Sequence, residues 1–330
     1  MRARVPAISA RDTEIADLKG QLKAAAKRPP DPDIPSYRAY IYADRRVAAE
    51  RATFNQPDRA DRVTHKLRAY SFAQSHGVAV PRIFACWDTL EDVVLDGLPD
   101  EVVVKSNTGS DGRGVLPLRR SPDGWRVVSG TATLSSAQVV DHMRSGESEK
   151  RVAAPYFAEE LLGARTDSLP IDFKAYVFYG EVSHVLLRSV GAFDDRSSIR
   201  FRAILPDGTD LGAVCAGLTY DSSIPIPDNI EGLIATASSL SLAVPRPFIR
   251  VDLYDVEGKV VFGELTPRPG GGMEYVPDED VRLGHLWERA QARLSADLVA
   301  GATTHLHFGP HPRELLIGES TRRRFDAQTD

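Results

Sequence analysis

Between Phe248 and Met273 the chain reads FIRVDLYDVEGKVVFGELTPRPGGGM, and no other stretch restricts the fold so tightly. Ile249, Val251 and Leu253 alternate with Arg250, Asp252 and Tyr254, so a strand here sends the two sets to opposite faces. Val260 to Leu265 supplies a return strand that carries Glu264, and a glycine-rich exit follows. Two carboxylates and a guanidinium inside an otherwise apolar hairpin are costly unless something pairs with them. A divalent cation bearing a phosphate is one such partner.

The turn decides whether Asp252 and Glu264 can share that cation. A two-residue loop, Glu257-Gly258, sets Asp252 against Gly263 and turns Glu264 to the other face. A three-residue loop, Val256-Glu257-Gly258, sets Asp252 against Phe262 and Arg250 against Glu264, with all three polar side chains on one face. The common three-residue hairpin places Gly at its left-handed third position, where Gly258 stands, so turn chemistry predicts the register that makes a metal site. The competing reading is an Arg250–Glu264 cross-strand ion pair with Asp252 in solvent.

The 330-residue chain is long enough for one large or two ordinary domains. With 42% hydrophobic and 26% charged residues it has the composition of a soluble globular protein. A net charge of -5 gives no sign of the basic patch that nucleic-acid binding requires. Cys86 and Cys215 lack metal or CxxC spacing, as expected of reduced thiols in a cytoplasmic protein. No apolar run approaches a membrane span, and the N-terminus lacks the apolar core of a signal peptide.

Residues 1–30 show helical spacing at Ile15, Leu18 and Leu22, ended by Pro29, Pro30, Pro32 and Pro35. Tyr37 to Asp61 reads as helix and loop. Asp61 then caps an expected helix whose apolar side is Val63, Leu67, Tyr70 and Phe72 and whose end is Gly77; Lys66, mid-helix, reads as solvated surface. VAVPRIFACW is a short strand. Glu101 to Lys105 is a strand ending in lysine, and a polar loop with Gly109, Gly112 and Gly114 leads into another strand. No GxxxxGK[ST] is present and no helix follows, which excludes a P-loop and a Rossmann turn. The loop is of the kind that lays backbone N–H groups over phosphates, or an ordinary polar hairpin. In the next strand Asp172 and Lys174 share a face, with a weak surface pair as the bland reading. Arg188 to Val214 reads as strand with loops at Asp194-Asp195 and Pro206-Asp207-Gly208, and Ile230–Leu242 and Leu283–Leu298 as helices. The tail from His311 is expected to fray, and His305, His307 and His311 read as adventitious surface histidines rather than a metal site.

The ordered motifs DRxxxK, VVVKSNTGSDGRGV, AEELLG, DFK and RVDLYDVEGKVVFGELTPRPGGG resemble the ATP-grasp superfamily, most closely its TupA-like branch, linked to teichuronopeptide or surface-polysaccharide biosynthesis. The resemblance runs from Asp61 to about Ala290. It implies an α+β fold in which two α/β lobes with antiparallel sheets clamp ATP, preceded by an N-terminal helical arm. The expected division is 1–60 arm and linker, 61–157 glycine-loop lobe and 158–330 C-terminal lobe with the metal site. By the same resemblance Lys66 and Lys105 reach the nucleotide, Ser106, Gly109, Ser110 and Gly112 form the flap, and Glu159, Glu160, Leu161 and Leu162 form the hinge that reads adenine mostly through backbone. Asp172 joins this ATP-binding set. Lys174 and Arg250 supply catalytic positive charge. Asp252, Glu264 and Thr266 hold Mg2+, or Mn2+ in its place. Thr266 departs from the Glu-x-Asn of many relatives, and its hydroxyl is a weaker ligand than an amide carbonyl. Arg268, Gly270 and Gly271 are expected at the acceptor, Arg268 as a fork for a carboxylate or phosphate or else as an exposed loop arginine.

The implied activity is ADP-forming ligation of a small-molecule carboxylate to an amine, through an acyl phosphate. Alternatives are a non-catalytic ATP-binding partner of a polysaccharide assembly complex and a phosphotransferase acting on a hydroxyl. A homodimer is kept as an open assembly. Asp252 and Glu264 are expected to point into solvent and metal rather than core.

Overall fold

The hairpin forms one edge of a five-stranded antiparallel sheet, ordered β12-β11-β7-β8-β9. The computed structural model describes residues 34–54, 59–109, 112–148, 152–163, 168–193, 195–270 and 274–313. The expected helix at 1–30 and the sites Ser110 and Gly271 lie outside these. The sheet consists of β7 (Asp172–Phe178), β8 (Glu181–Val190), β9 (Ile199–Ile204), β11 (Ile249–Val256) and β12 (Lys259–Thr266). A second sheet has six antiparallel strands, ordered β1-β6-β2-β3-β4-β5. These are β1 (Ile83–Trp87), β2 (Glu101–Ser106), β3 (Val115–Ser121), β4 (Gly124–Val127), β5 (Thr133–Leu134) and β6 (Tyr156–Glu160). A two-stranded ribbon joins β10 (Cys215–Ala216) to β13 (Glu274–Tyr275).

Five α-helices are described: α1 (Tyr37–Thr53), α2 (Lys66–Ser75), α3 (Ser136–Ser148), α4 (Ile230–Leu242) and α5 (Pro277–Val299). Their ends follow helix chemistry. Ser36 Oγ accepts from Ala39 N at 3.1 Å, Asn229 accepts from Gly232 N at 3.2 Å, and α5 opens with proline and three acidic residues. The helix expected from Asp61 divides: a 3-10 turn occupies Arg59–Thr64 and α2 begins only at Lys66, with His65 as N-cap.

Both faces of the five-stranded sheet are covered. On one, Phe173, Ala175, Val251 and Leu253 pack with Leu67, Tyr70 and Phe72 of α2 and Leu233 and Ala237 of α4. On the other, Tyr176, Phe178 and Phe248 meet Leu283, Leu286 and Trp287 of α5. Tyr37 of α1 joins this second layer, its ring 5.2 Å from Phe248 and 5.6 Å from Tyr275. The six-stranded sheet has its own core around Trp87, Val102, Val104, Leu116, Leu118 and Trp125.

The tail expected to fray from His311 is held at its first residue, His311 N donating to Ser75 O at 3.0 Å, just after His307 O meets His76 Nε2 at 2.9 Å; the rest of it, 314–330, lies outside the described residues. The segment after α5 therefore straps α2. Among the described residues no group of three His, Cys, Asp or Glu is arranged to hold a metal alone, and no helix is long and apolar enough to cross a membrane.

Candidate active site

The hairpin turn differs from its expected form. Val256 pairs with Lys259, leaving the two-residue loop Glu257-Gly258 with φ of 52° and 79°. Positive φ at both central residues is the turn whose twist matches the flanking strands. It is braced from outside: Asp255 Oδ1 accepts from Gly258 N at 2.8 Å, and Asn229, the cap of α4, donates to Gly258 O at 2.8 Å. In an unbroken ladder this turn would send Glu264 to the wrong face. A β-bulge prevents that. Leu253 pairs with Phe262, but Asp252 pairs with Glu264, so Gly263 is the extra residue. Arg250 consequently opposes Thr266, not Glu264. The carboxylates share a face through the bulge, not through a three-residue turn.

On that face the polar groups form one chain of contacts. The Arg250 guanidinium donates to Asp252 at 2.6 and 2.8 Å, to Glu264 Oε1 at 2.8 Å and to Thr266 Oγ1 at 3.0 Å. Lys174 Nζ lies 2.5 Å from Asp252 Oδ2 and 3.3 Å from Asp172 Oδ2. Arg188 Nη1 holds Asp172 from the other side at 2.8 Å. The Asp172–Lys174 pair is therefore not a surface pair, for Asp172 is buried at 8% exposure. Asp252 is deeper still, at 2%, so it does not point into solvent as expected; Glu264, with 42% of its side chain exposed, is the accessible member. Burial pushes the Asp252 carboxyl above its usual range, against Arg250 and Lys174. Burial also pushes Glu264 upward, but Arg250, Lys174 and Lys66 outweigh it and hold Glu264 down to about 2.

The glycine loop lies against the start of α2. Lys66 opens α2, and its ammonium donates to Thr108 O at 2.9 Å and Gly109 O at 3.3 Å. It is 7% exposed and not solvated surface. Burial lowers it to about 8, with the Glu264 charge acting to keep it protonated. The charges of Lys66 and Glu264 act on each other, which puts the start of α2 within electrostatic range of the hairpin. Asn107 locks loop to helix, accepting from Lys66 N through its carbonyl and from Leu67 N through Oδ1, both at 3.0 Å. Ser106, fully buried, donates from Oγ to Thr108 O at 2.5 Å, and Gly109 and Gly112 take positive φ.

Lys105 leaves the end of β2 to pair with Glu159. Tyr70 OH completes the trio, donating to Glu159 Oε2 at 2.7 Å and lying 3.3 Å from Lys105 Nζ. In the expected hinge Glu159 therefore presents its side chain, 2% exposed, toward Lys105, whereas Glu160 is exposed and meets Arg82 N at 3.3 Å. Leu161 packs with Val103 and Val128, and Leu162 lies in the turn that follows. Tyr70 escaped the sequence reading as a site residue, although it lies one helical turn from Lys66 on the same side of α2. Asn107, Arg188 and Tyr254, which helps to lower the Asp172 carboxyl, gave no pattern to find.

Arg268 is not an exposed loop arginine. It is 18% exposed, and its Nε lies 2.7 Å from Asp44 Oδ2 of α1. Gly270 is exposed.

The TupA-like ATPgrasp family model matches residues 49–287. The chain belongs to the TupA-like ATP-grasp family. Its α+β fold is the ATP-grasp fold. Curated proteins give no sequence match. Among solved structures, this TupA-like protein resembles D-alanine–D-alanine ligase from Bacillus anthracis complexed with ATP at 12% identity, covering 76% of this chain and 74% of that one, with a TM-score of 0.44. D-cycloserine synthetase is similar at 15% identity over 76% of this chain and 81% of its own, TM-score 0.44. Phosphoribosylamine–glycine ligase from Thermotoga maritima is similar at 17% identity, over 71% of this chain and 56% of its own, TM-score 0.42.

Proposed function

We propose that this protein is an ADP-forming carboxylate–amine ligase, working through an acyl phosphate in the assembly of a cell-surface polymer or natural product. The observation that carries this reading is the Arg250 guanidinium, held 2.6–2.8 Å from both Asp252 and Glu264, with the charge of Lys66, at the start of α2, also acting on Glu264. Three cations and two carboxylates around one gap suit a triphosphate with a divalent ion better than they suit one another.

The donor set fits Mg2+. Asp252, Glu264 and the Thr266 hydroxyl, 3.1 Å from Glu264 Oε1, are hard oxygens on one face, and Mg2+ takes one or two protein carboxylates and the rest from phosphate and water. When bound, the ion neutralises charge on the phosphate oxygens. Lys105 and Glu159 flank the nucleotide, and the Ser106–Gly114 loop covers its phosphates. The substrate carboxylate oxygen attacks the γ-phosphorus as the bond to ADP breaks; Arg250 and Lys174 transfer N–H donation from Asp252 to the moving phosphoryl oxygens. The amine then attacks the acyl carbon, phosphate leaves with its electron pair, and the amine proton passes to solvent. The protein contributes position and charge more than covalent chemistry.

Thr266, in the place of an amide side chain, supports a second reading, in which nucleotide binds and no ligation follows. Two measurements separate these. ATP or ADP with Mg2+ should raise the thermal midpoint under both readings, and no shift at millimolar nucleotide would sink both. Under the ligase reading a carboxylate panel with hydroxylamine should give ADP and a hydroxamate; binding without ADP release from any acid would leave the second reading standing.

A further inference from the structure

The N-terminal helix is tied to the exit of the metal hairpin. Asp44 of α1 accepts from Arg246 and forms an ion pair with Arg268, its Oδ2 2.7 Å from Arg268 Nε, and the next residue, Arg45, donates to the carbonyl of Pro269. Two adjacent residues of one helix thus grip two adjacent residues of the segment that leaves β12. The helix itself is firmly placed: Tyr37 and Ile41 are buried, Tyr40 stacks on Trp287 at 5.7 Å, and Ser36 Oγ donates to Asp280 at 2.6 Å. The grip is close to the reacting groups. Thr266, which accepts from Arg250, precedes Arg268 by two residues, a span of at most about 7 Å. The charges of Arg250 and Arg45 both act on the Tyr37 hydroxyl. Arg268 and Asp44 remain open to solvent at 18% and 22% of their side chains, while Arg246 is buried at 6%. Asp44 and Arg45 precede residue 49, where the family match begins, whereas Arg246, Arg268 and Pro269 lie within it.

We propose that α1 builds one side of the acceptor site, with Asp44 as the positioning residue that holds Arg268 and Arg246 to receive an anionic group, carboxylate or phosphate, of the acceptor. The inference rests on the ligase reading of the neighbouring cleft. Arg268 is the contact residue and Arg246 its buried support. The carboxylate of Asp44 fixes the planar forks, which bind an anion with geometry as well as charge. Arg45 holds the backbone beneath Arg268, so that both ends of the short exit are set by the helix.

The test uses the full chain saturated with a non-hydrolysable ATP analogue and Mg2+, which fills the phosphate positions beside Arg250. Succinate and inorganic phosphate are then titrated separately by calorimetry, and the better-bound anion identifies the acceptor's group. Arg268→Gln should abolish this binding. Asp44→Asn should weaken it about tenfold, the scale of one hydrogen bond to a charged group, and Asp44→Glu should restore most of it. Arg45→Gln, which removes the backbone grip and leaves the Asp44 pairs intact, should weaken it less. Analogue binding should be the same in all variants, which also reports that each is folded. Loss of analogue binding in the unaltered protein would overturn the ligase reading instead. Normal analogue binding with no anion bound, or anion affinity unchanged in both Asp44→Asn and Arg268→Gln, would overturn the proposal.

Discussion

Lys66 is a buried ammonium, and an apolar substitute should stabilise the nucleotide-free protein. Burial lowers its pKa from 10.5 to about 8. At ~1.4 kcal/mol per pH unit, holding it charged in the fold costs about 3 kcal/mol at pH 7. Lys66→Met removes that cost and loses the hydrogen bonds to Thr108 and Gly109 carbonyls, about 1 kcal/mol net. Thr108 O keeps its bond from Ser106 Oγ. The variant should therefore gain about 2 kcal/mol at pH 7. The sign with pH follows from proton counts. Between about pH 8 and 10.5 the unfolded chain holds the Lys66 proton and the folded chain does not, so stability rises with pH in that window. The advantage of Lys66→Met should shrink across it. Urea melts of both proteins at pH 7 and pH 10 measure this directly. Under the proposed ligase reading nucleotide phosphates meet this charge, so the same variant should bind ATP at least tenfold more weakly, and wild-type affinity should fall as pH rises through 8. A variant less stable than wild type at pH 7, or a stability difference that ignores pH, would refute the reasoning.

Other consequences concern the hairpin. Gly263→Val puts a Cβ 2.9 Å from the Tyr254 ring and 3.1 Å from Asp252 O, and should cost about 1–3 kcal/mol in a chemical melt. Deleting Gly263 removes the extra residue while leaving Asp252 opposite Glu264; metal-dependent ADP release should survive the deletion better than Gly263→Val, and the reverse order would show that the bulge does more than set the face. Arg250→Ala should lower kcat more than nucleotide affinity, since its charge is most useful where negative charge develops; a pure change in ATP KM would exclude that role. Glu264→Ala should remove metal-dependent turnover with little loss of stability. Asp252→Ala should remove it too, yet also cost more stability than Glu264→Ala, because it removes the buried carboxylate that Arg250 and Lys174 share and leaves them only Glu264, Thr266 and Asp172; equal melting of the two variants would contradict the burial difference.

Much of the site was legible because its residues sit on regular elements. Strand alternation placed Asp172 with Lys174 and Arg250 with Asp252, and Lys105, next to last in β2, stood out near the mouth of a glycine loop. Helix α4 fell at Ile230–Leu242 as its pattern predicts. The misread features depend on groups distant in sequence. Lys66 looked like surface because its burial comes from Thr108 and Gly109, and Arg268 looked free because its partner is Asp44, far earlier in the chain.

The hairpin divides the two kinds of information most clearly. Alternation alone determined that Arg250 and Asp252 share a face and that a return strand brings Glu264 back beside them, because side-chain direction in a strand is a local property. Which face Glu264 takes was left to the tertiary structure. Its sheet twist admits the Glu257-Gly258 turn, Asn229 of α4 secures that turn, and a bulge at Gly263 restores the carboxylates to one side. Phe262 and Leu265, both buried in the core between the sheet and α2, must point away from the cleft, and only an extra unpaired residue between them lets Glu264 point into it.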